Sequence, residues 1–259
     1  MSTNTGLRVL AGAIALAISG TVSANTTLDA TSTGDVFLNI VDVTNSSSFI
    51  FDTGVSQAAF NGGSSYSYSL AADPNYQAFV AAQGGTDTLD YSVFSATKSG
   101  SGVFTIDFTS SIPVPAANGQ TPGNISGSQV AIATFLAGAN TVTSSTLNSA
   151  YLTSASTYNF GQTTNEGKIS QYLLLSGGDQ SSGPYADDAS IGTALAFYQD
   201  AASRSVIANG VAFAGTWDLT SAGALTYGGV SAVPLPTPLL LLLSGLGLMG
   251  VVARLGKTA

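Results

Sequence analysis

The central part of the chain is predicted to be mainly β: a single two-sheet sandwich of the jelly-roll type with one or two short helices. Two observations predict it. Apolar and aromatic residues alternate with serine and threonine at period two through several separate segments, as half-buried strands require. Of 14 acidic residues 13 are aspartate, with Glu166 alone, and aspartate favours turns and caps where glutamate favours helix faces.

The elements follow in chain order. Residues 1–24 are set apart from the fold. Arg8 precedes the apolar run Val9 to Ile18, and Val22 and Ala24 hold the small-residue positions of a signal-peptidase site, so this segment is expected to be a secretory signal cleaved after Ala24. The body, residues 25–232, is expected to start with strands at 35–43 and 48–52 joined by a short polar loop. Tyr66, Tyr68 and Leu70 alternate with serines and mark a third strand. Asp73-Pro74 supplies an N-cap and a first-turn proline to a helix that Gly84 closes. Segments 89–98 and 102–110 flank Ser99-Gly100-Ser101 as a hairpin, in which Phe104, Ile106 and Phe108 form one apolar face. Residues 112–123, with Pro113, Pro115 and Pro122, read as a loop. A second helix is expected within 126–152, where Val130, Ala133, Phe135 and Leu136 fall at helical spacing. Strands at 193–200, 210–221 and 224–229 complete the body, with Phe213, Trp217 and Leu219 directed into one core. Asn61-Gly62, Asn118-Gly119 and Asn209-Gly210 are expected to be turns.

Composition excludes whole classes of chemistry. The 259 residues contain no histidine and no cysteine, so disulfides, thiolate nucleophiles, Ser-His-Asp triads and nitrogen- or sulfur-ligated metals are ruled out. Only 8% of residues are charged, and 35 Ser and 29 Thr supply the polarity instead. The body holds all 14 acids but only Lys98, Lys168 and Arg204 of the bases, a charge of 3 − 14 = −11 that repels nucleic acid.

Four groups of residues could carry chemistry. Ile50, Phe51, Asp52, Thr53 and Gly54 resemble the active-site loop of aspartic proteases, but that chemistry needs two facing aspartates and no second Asp-Thr-Gly or Asp-Ser-Gly occurs. A turn at Thr53-Gly54, with Asp52 bonding its own backbone, is the simpler expectation. Asp179, Asp187 and Asp188, and likewise Asp87 and Asp90, lie on glycine-rich stretches that could offer hard oxygen ligands to calcium. Neither follows a known loop spacing, and turn aspartates are the plainer account. No other cofactor is expected. Tyr66, Tyr68, Tyr76, Tyr151, Tyr158, Tyr172, Tyr185, Tyr198 and Tyr227 could stack on sugar rings, although tyrosine also suits half-buried strand positions. Within the C-terminal tail, Gly245, Gly247 and Gly250 spell a dinucleotide fingerprint, yet too few residues follow to build its βαβ unit.

The fourth group is the C-terminal tail, 233–259. Val233, Pro234, Leu235 and Pro236 lead into Leu239 to Ala253, an apolar run that ends at Arg254 and Lys257. At about 1.5 Å per residue this is a short membrane helix, and its basic end would orient it with the C-terminus cytoplasmic. This order of features resembles the PEP-CTERM sorting tail of exported Gram-negative proteins, with Leu235 where many members carry glutamate. The resemblance covers the tail alone. It implies recognition by an exosortase-type membrane enzyme at Val233 to Pro236, with Arg254 as the basic stop, then removal of the tail and delivery to the cell surface, commonly beside exopolysaccharide.

The expected protein is therefore a non-enzymatic surface or matrix component of biofilm type. Its partners would be signal peptidase, an exosortase-type enzyme, the membrane and extracellular polysaccharide, with no nucleic acid. A secreted carbohydrate-binding protein, or a hydrolase using paired carboxylates, is the alternative from another class.

Overall fold

The computed structural model describes residues 34–229 except 43, 86, 100, 112, 115–120, 142–147, 154, 156–187 and 204–205. The ends, including the signal segment and the sorting tail, lie outside the described residues.

Among the described residues, ten strands and two helices are formed. The strands are β1 (Asp35–Asp42), β2 (Ser47–Ser56), β3 (Tyr66–Ser69), β4 (Leu89–Lys98), β5 (Phe104–Ser110), β6 (Ser149–Leu152), β7 (Ala189–Ser190), β8 (Leu195–Ala202), β9 (Ile207–Leu219) and β10 (Ala224–Gly229). The helices are α1 (Pro74–Ala81) and α2 (Pro122–Ala139). The expected β body is thus present, but not as two separate sheets. One antiparallel hydrogen-bonded sheet runs in the order β3-β10-β9-β8-β5-β4-β1-β2-β6, with β7 paired to β4 off this path.

The sheet curls until its two ends meet through side chains. Tyr68 on β3, at one edge, packs edge-on against Phe51 on β2 near the other, with ring centroids 5.8 Å apart. Asn75, on α1 just after β3, donates to the carbonyl and hydroxyl oxygens of Ser149 on edge strand β6 at 2.9 and 3.1 Å. One backbone carbonyl of edge strand β6 is occupied in this way.

Curling follows from bulges, which bend a strand and raise its twist. In β2, Thr53, Gly54 and Val55 stand opposite Val36 alone. In β9, Asn209 and Gly210 oppose Asp200, and Phe213 to Gly215 oppose Phe197. Asn209-Gly210, expected to be a turn, therefore lies inside a strand. Gly210 has the positive φ of 63° that such dipeptides tolerate, and the buried Asp200 Oδ1 accepts its N–H at 2.6 Å. The positive-φ preference was real; the device it serves is a bulge.

Curling gives the sheet an inner and an outer face. The inner face collects Leu38, Phe49, Phe60, Tyr91, Phe197, Trp217 and Tyr227 into an aromatic core, with α1 adding Tyr76 and Phe79. The outer face carries Phe37, Ile50, Phe94, Ile106 and Phe108, covered by Ile125, Ile132, Phe135 and Leu136 of α2. Each such side chain removed from water contributes roughly 1.5–3 kcal/mol before entropy is set against it. Interior strand β1 is buried along its whole length, with Val36, Leu38 and Ile40 in the inner core and Phe37 and Val41 in the outer. Trp217 and Leu219 lie in the inner core as their shared parity predicted, and Phe213 packs against it.

Both helices obey their start signals. Asp73 Oδ1 accepts from the N–H groups of Asn75 and Tyr76, with Pro74 opening α1. Helix α2 begins earlier than expected, at Pro122. Proline suits a first helical position because its fixed φ is helical and its missing N–H would have no partner there. The same helix stops at Ala139, and Ser149–Leu152 is strand.

Candidate functional site

The inner face changes character at one end. There β4, β5 and β8 contribute Ser95, Thr97, Asp107 and Gln199, and the turn after β2 contributes Gln57. Asp107 belongs to the parity opposite Ile106 and Phe108, so the alternation that fills the outer core turns its carboxylate inward. It is fully buried.

The groups form one hydrogen-bonded chain. Asp107 Oδ1 accepts from Gln199 Nε2 at 2.9 Å, and Oδ2 accepts from Ser95 Oγ at 2.9 Å. Ser95 Oγ in turn accepts from Gln57 Nε2 at 2.7 Å. On the other side of that amide, Thr97 Oγ1 donates to Gln57 Oε1. Gln57 is held by its backbone as well, its N–H donating to Gly34 O at 2.7 Å. Gly34 has φ 51°, and a Cβ there would overlap Thr97 Cγ2, so only glycine leaves that threonine its place.

Burial pushes the Asp107 carboxyl up to about 6, offset in part by hydrogen bonds from Gln199, Ser95 and Gln57 and reinforced by the charge of Asp200. Asp200 does not share the site: Asp107 pairs with Gln199, so its neighbour Asp200 projects from the opposite face. A carboxyl raised on folding favours the folded state fully below the unfolded value near 3.8, and that contribution is lost as pH rises through about 6. Asp107→Asn can keep the hydrogen-bonded chain without a charge. Between pH 4.5 and 7.5 the parent is therefore expected to lose about 2 kcal/mol more stability than this variant, measured by denaturant titration at both pH values.

The residues singled out by sequence take other places. Asp52 is buried in β2, where Oδ1 accepts the Gly54 N–H at 2.7 Å and the backbone exchanges bonds with Asn148. The expected Asx bond is thus formed, but as part of a bulge, since the strand continues to Ser56. Asp87 shares the Asn45 amide with buried Asp42, at 2.6 and 2.7 Å, and Asp90 accepts from Ser190 Oγ at 2.9 Å. These are turn and strand-end bonds. Asp188 lies just before β7, while Asp179 and Asp187 are outside the described residues, as are Ala24, Val233, Pro234, Leu235, Pro236 and Arg254. Among the described residues no cluster of three acids could hold a metal ion, and no helix is long and apolar enough to cross a membrane.

The described tyrosines are core residues. Tyr76, Tyr198 and Tyr227 are buried, and Tyr66, Tyr68 and Tyr151 are half-buried against the aromatic interior. Tyr68 is held up to about 12, chiefly by burial. Tyr158, Tyr172 and Tyr185 lie outside the described residues.

Sequence reading missed the Asp107 group because its members come from four separate segments of the chain, with Gln57 and Gln199 142 residues apart. The available signal was an aspartate at the centre of the strand Phe104–Ser110, where a charge needs an inward partner. No family model matches the chain, and no curated protein and no solved structure matches it either.

Proposed function

We propose that the chain is an exported, non-enzymatic cell-surface or matrix protein, sorted by its C-terminal tail. One observation carries this reading: an apolar run with a small-residue exit at 1–24 and a proline-led apolar tail with a basic end at 233–259 flank a stretch that holds all 14 acidic residues. In this reading the first segment and residues 239–253 act as helices in the membrane. Signal peptidase cuts after Ala24, and an exosortase-type enzyme acts at Val233 to Pro236, where prolines keep the backbone extended and open to a protease. Arg254 and Lys257 hold the span against further transfer. A body with a charge of −11 and a hydroxyl-rich surface suits a hydrated, polysaccharide-rich exterior.

Deletion of 233–259 is expected to abolish surface delivery, and Arg254→Ala/Lys257→Ala to reduce it several-fold. Protease shaving of intact cells followed by immunoblotting measures both. Unchanged delivery in the two variants would overturn the sorting mechanism.

A further inference from the structure

We propose that Thr97 and Gln57 become joined by an intramolecular ester bond, formed with loss of ammonia. The hydrogen-bonded chain around Asp107 places every group such a reaction needs. A hydroxyl lies against the carbonyl oxygen of a primary amide, in the contact from Thr97 Oγ1 to Gln57 Oε1. On the nitrogen side of the same amide, Nε2 donates to Ser95 Oγ at 2.7 Å, and Ser95 Oγ is 2.9 Å from the Asp107 carboxylate. Nucleophile and acid therefore address opposite ends of one carboxamide. Gln57 N–H on Gly34 O and the Gly34 backbone beneath Thr97 Cγ2 hold the pair in register. Fixing two reactants in this way replaces a bimolecular encounter with an effective concentration of roughly 10⁵ M or more.

The step balances. Thr97 Oγ1 attacks Cδ of Gln57, and its proton passes to Oε1, which already accepts it as a hydrogen bond. The tetrahedral carbon then carries Oγ1, the Oε1 hydroxyl and Nε2. Protonated Asp107 gives its proton to Ser95 Oγ, which passes its own to Nε2; the C–N bond breaks and its electron pair leaves with nitrogen as ammonia. The departing ammonia takes the Oε1 proton and leaves as ammonium, and Asp107 recovers a proton from water. Hydroxyl plus amide becomes ester plus ammonia, with nothing oxidised or reduced. The carboxyl is suited to this role, since burial keeps a large share of it protonated near pH 6. A chain without cysteine gains by this route a covalent tie between the turn after β2 and strand β4. The tie needs only the folded body and is independent of where the protein is delivered.

No Lys or Arg lies between Arg8 and Lys98, so one tryptic fragment ending at Lys98 contains both residues. From full-length protein folded and then denatured, that fragment is expected to be lighter by one ammonia. Chymotryptic cuts between residues 57 and 97 are expected to leave its two parts joined. Thr97→Val should restore the full mass and separate the parts; Thr97→Ser should keep them joined. Asp107→Asn should slow joining about a hundredfold while circular dichroism shows the fold retained. A full-mass fragment from the folded parent overturns the proposal whatever the variants do. So does an ammonia loss that persists in Thr97→Val, which would mark a succinimide at Asn61-Gly62.

Discussion

Phe60→Ala is expected to cost about 3–5 kcal/mol, the range for emptying a packed aromatic site. Phe60 stands on the turn after β2, outside every strand, yet its ring fills the interior of the curled sheet. Its centroid lies 4.9 Å from Tyr227, 5.1 Å from Phe213, 5.2 Å from both Tyr66 and Phe197, and 6.0 Å from Trp217. Five rings from four strands meet on it, and β-strand backbones fixed by ladders cannot move inward to refill the space. The melting temperature should fall by roughly 10 °C in a body of this size. Scanning calorimetry against Phe60→Leu, which keeps most of the volume, separates the cavity from loss of the aromatic edges. A change below about 1 kcal/mol in Phe60→Ala would mean that the ring does not occupy this interior.

Gly215→Ala should be nearly as damaging, at about 3 kcal/mol, the upper end for overpacking. Gly215 sits in the second bulge of β9, where the backbone passes close to β10. An added Cβ would lie 2.6 Å from Tyr227 Cζ and would overlap the Gly228 carbonyl. Neither can yield. The Tyr227 hydroxyl accepts from Gly215 N–H at 2.9 Å and donates to Gly62 O at 3.1 Å, and Gly228 pairs in the ladder. The variant must separate β9 from β10 or expel Tyr227. Loss of near-ultraviolet ellipticity from the Trp217–Tyr227 pair, whose centroids are 5.0 Å apart, would report which. Gly228→Ala is the control, because a Cβ there meets nothing within 4 Å.

Much of the local structure was legible in the chain because it rests on local physics. The 89–98 and 104–110 hairpin, the Asp73-capped helix and the last strand carry their alternation or caps in consecutive residues. What period two cannot convey is how many sheets the strands make. Sandwich and curled sheet both ask for one inward and one outward face per strand; the choice lies in bulges at Gly54, Gly210 and Gly215. Two of these looked like turns, since a positive φ is shared by turns and bulges alike. The aspartates were read as turn formers, and Asp42 and Asp73 are. Asp52 and Asp200 instead bind the glycine N–H groups at bulges, and Asp107 anchors a buried network. The residues around Asp107 were invisible for another reason: Gln57, Thr97 and Gln199 are ordinary polar side chains until pairing of β4, β5 and β8 sets them side by side.

The strand order also fixes a sequence of events in time. β3, formed by residues 66–69, has its ladder partner in β10, residues 224–229, with nearly the whole body between them. Trp217 and Tyr227, which enclose Phe60, come from the same late stretch. The first half of the chain therefore cannot finish its interior until the last strand is available, a high-contact-order arrangement that folds slowly. A chain threaded outward from its N-terminus would remain open, and so easy to pass through a narrow channel, until its final strand emerges and the sheet can close.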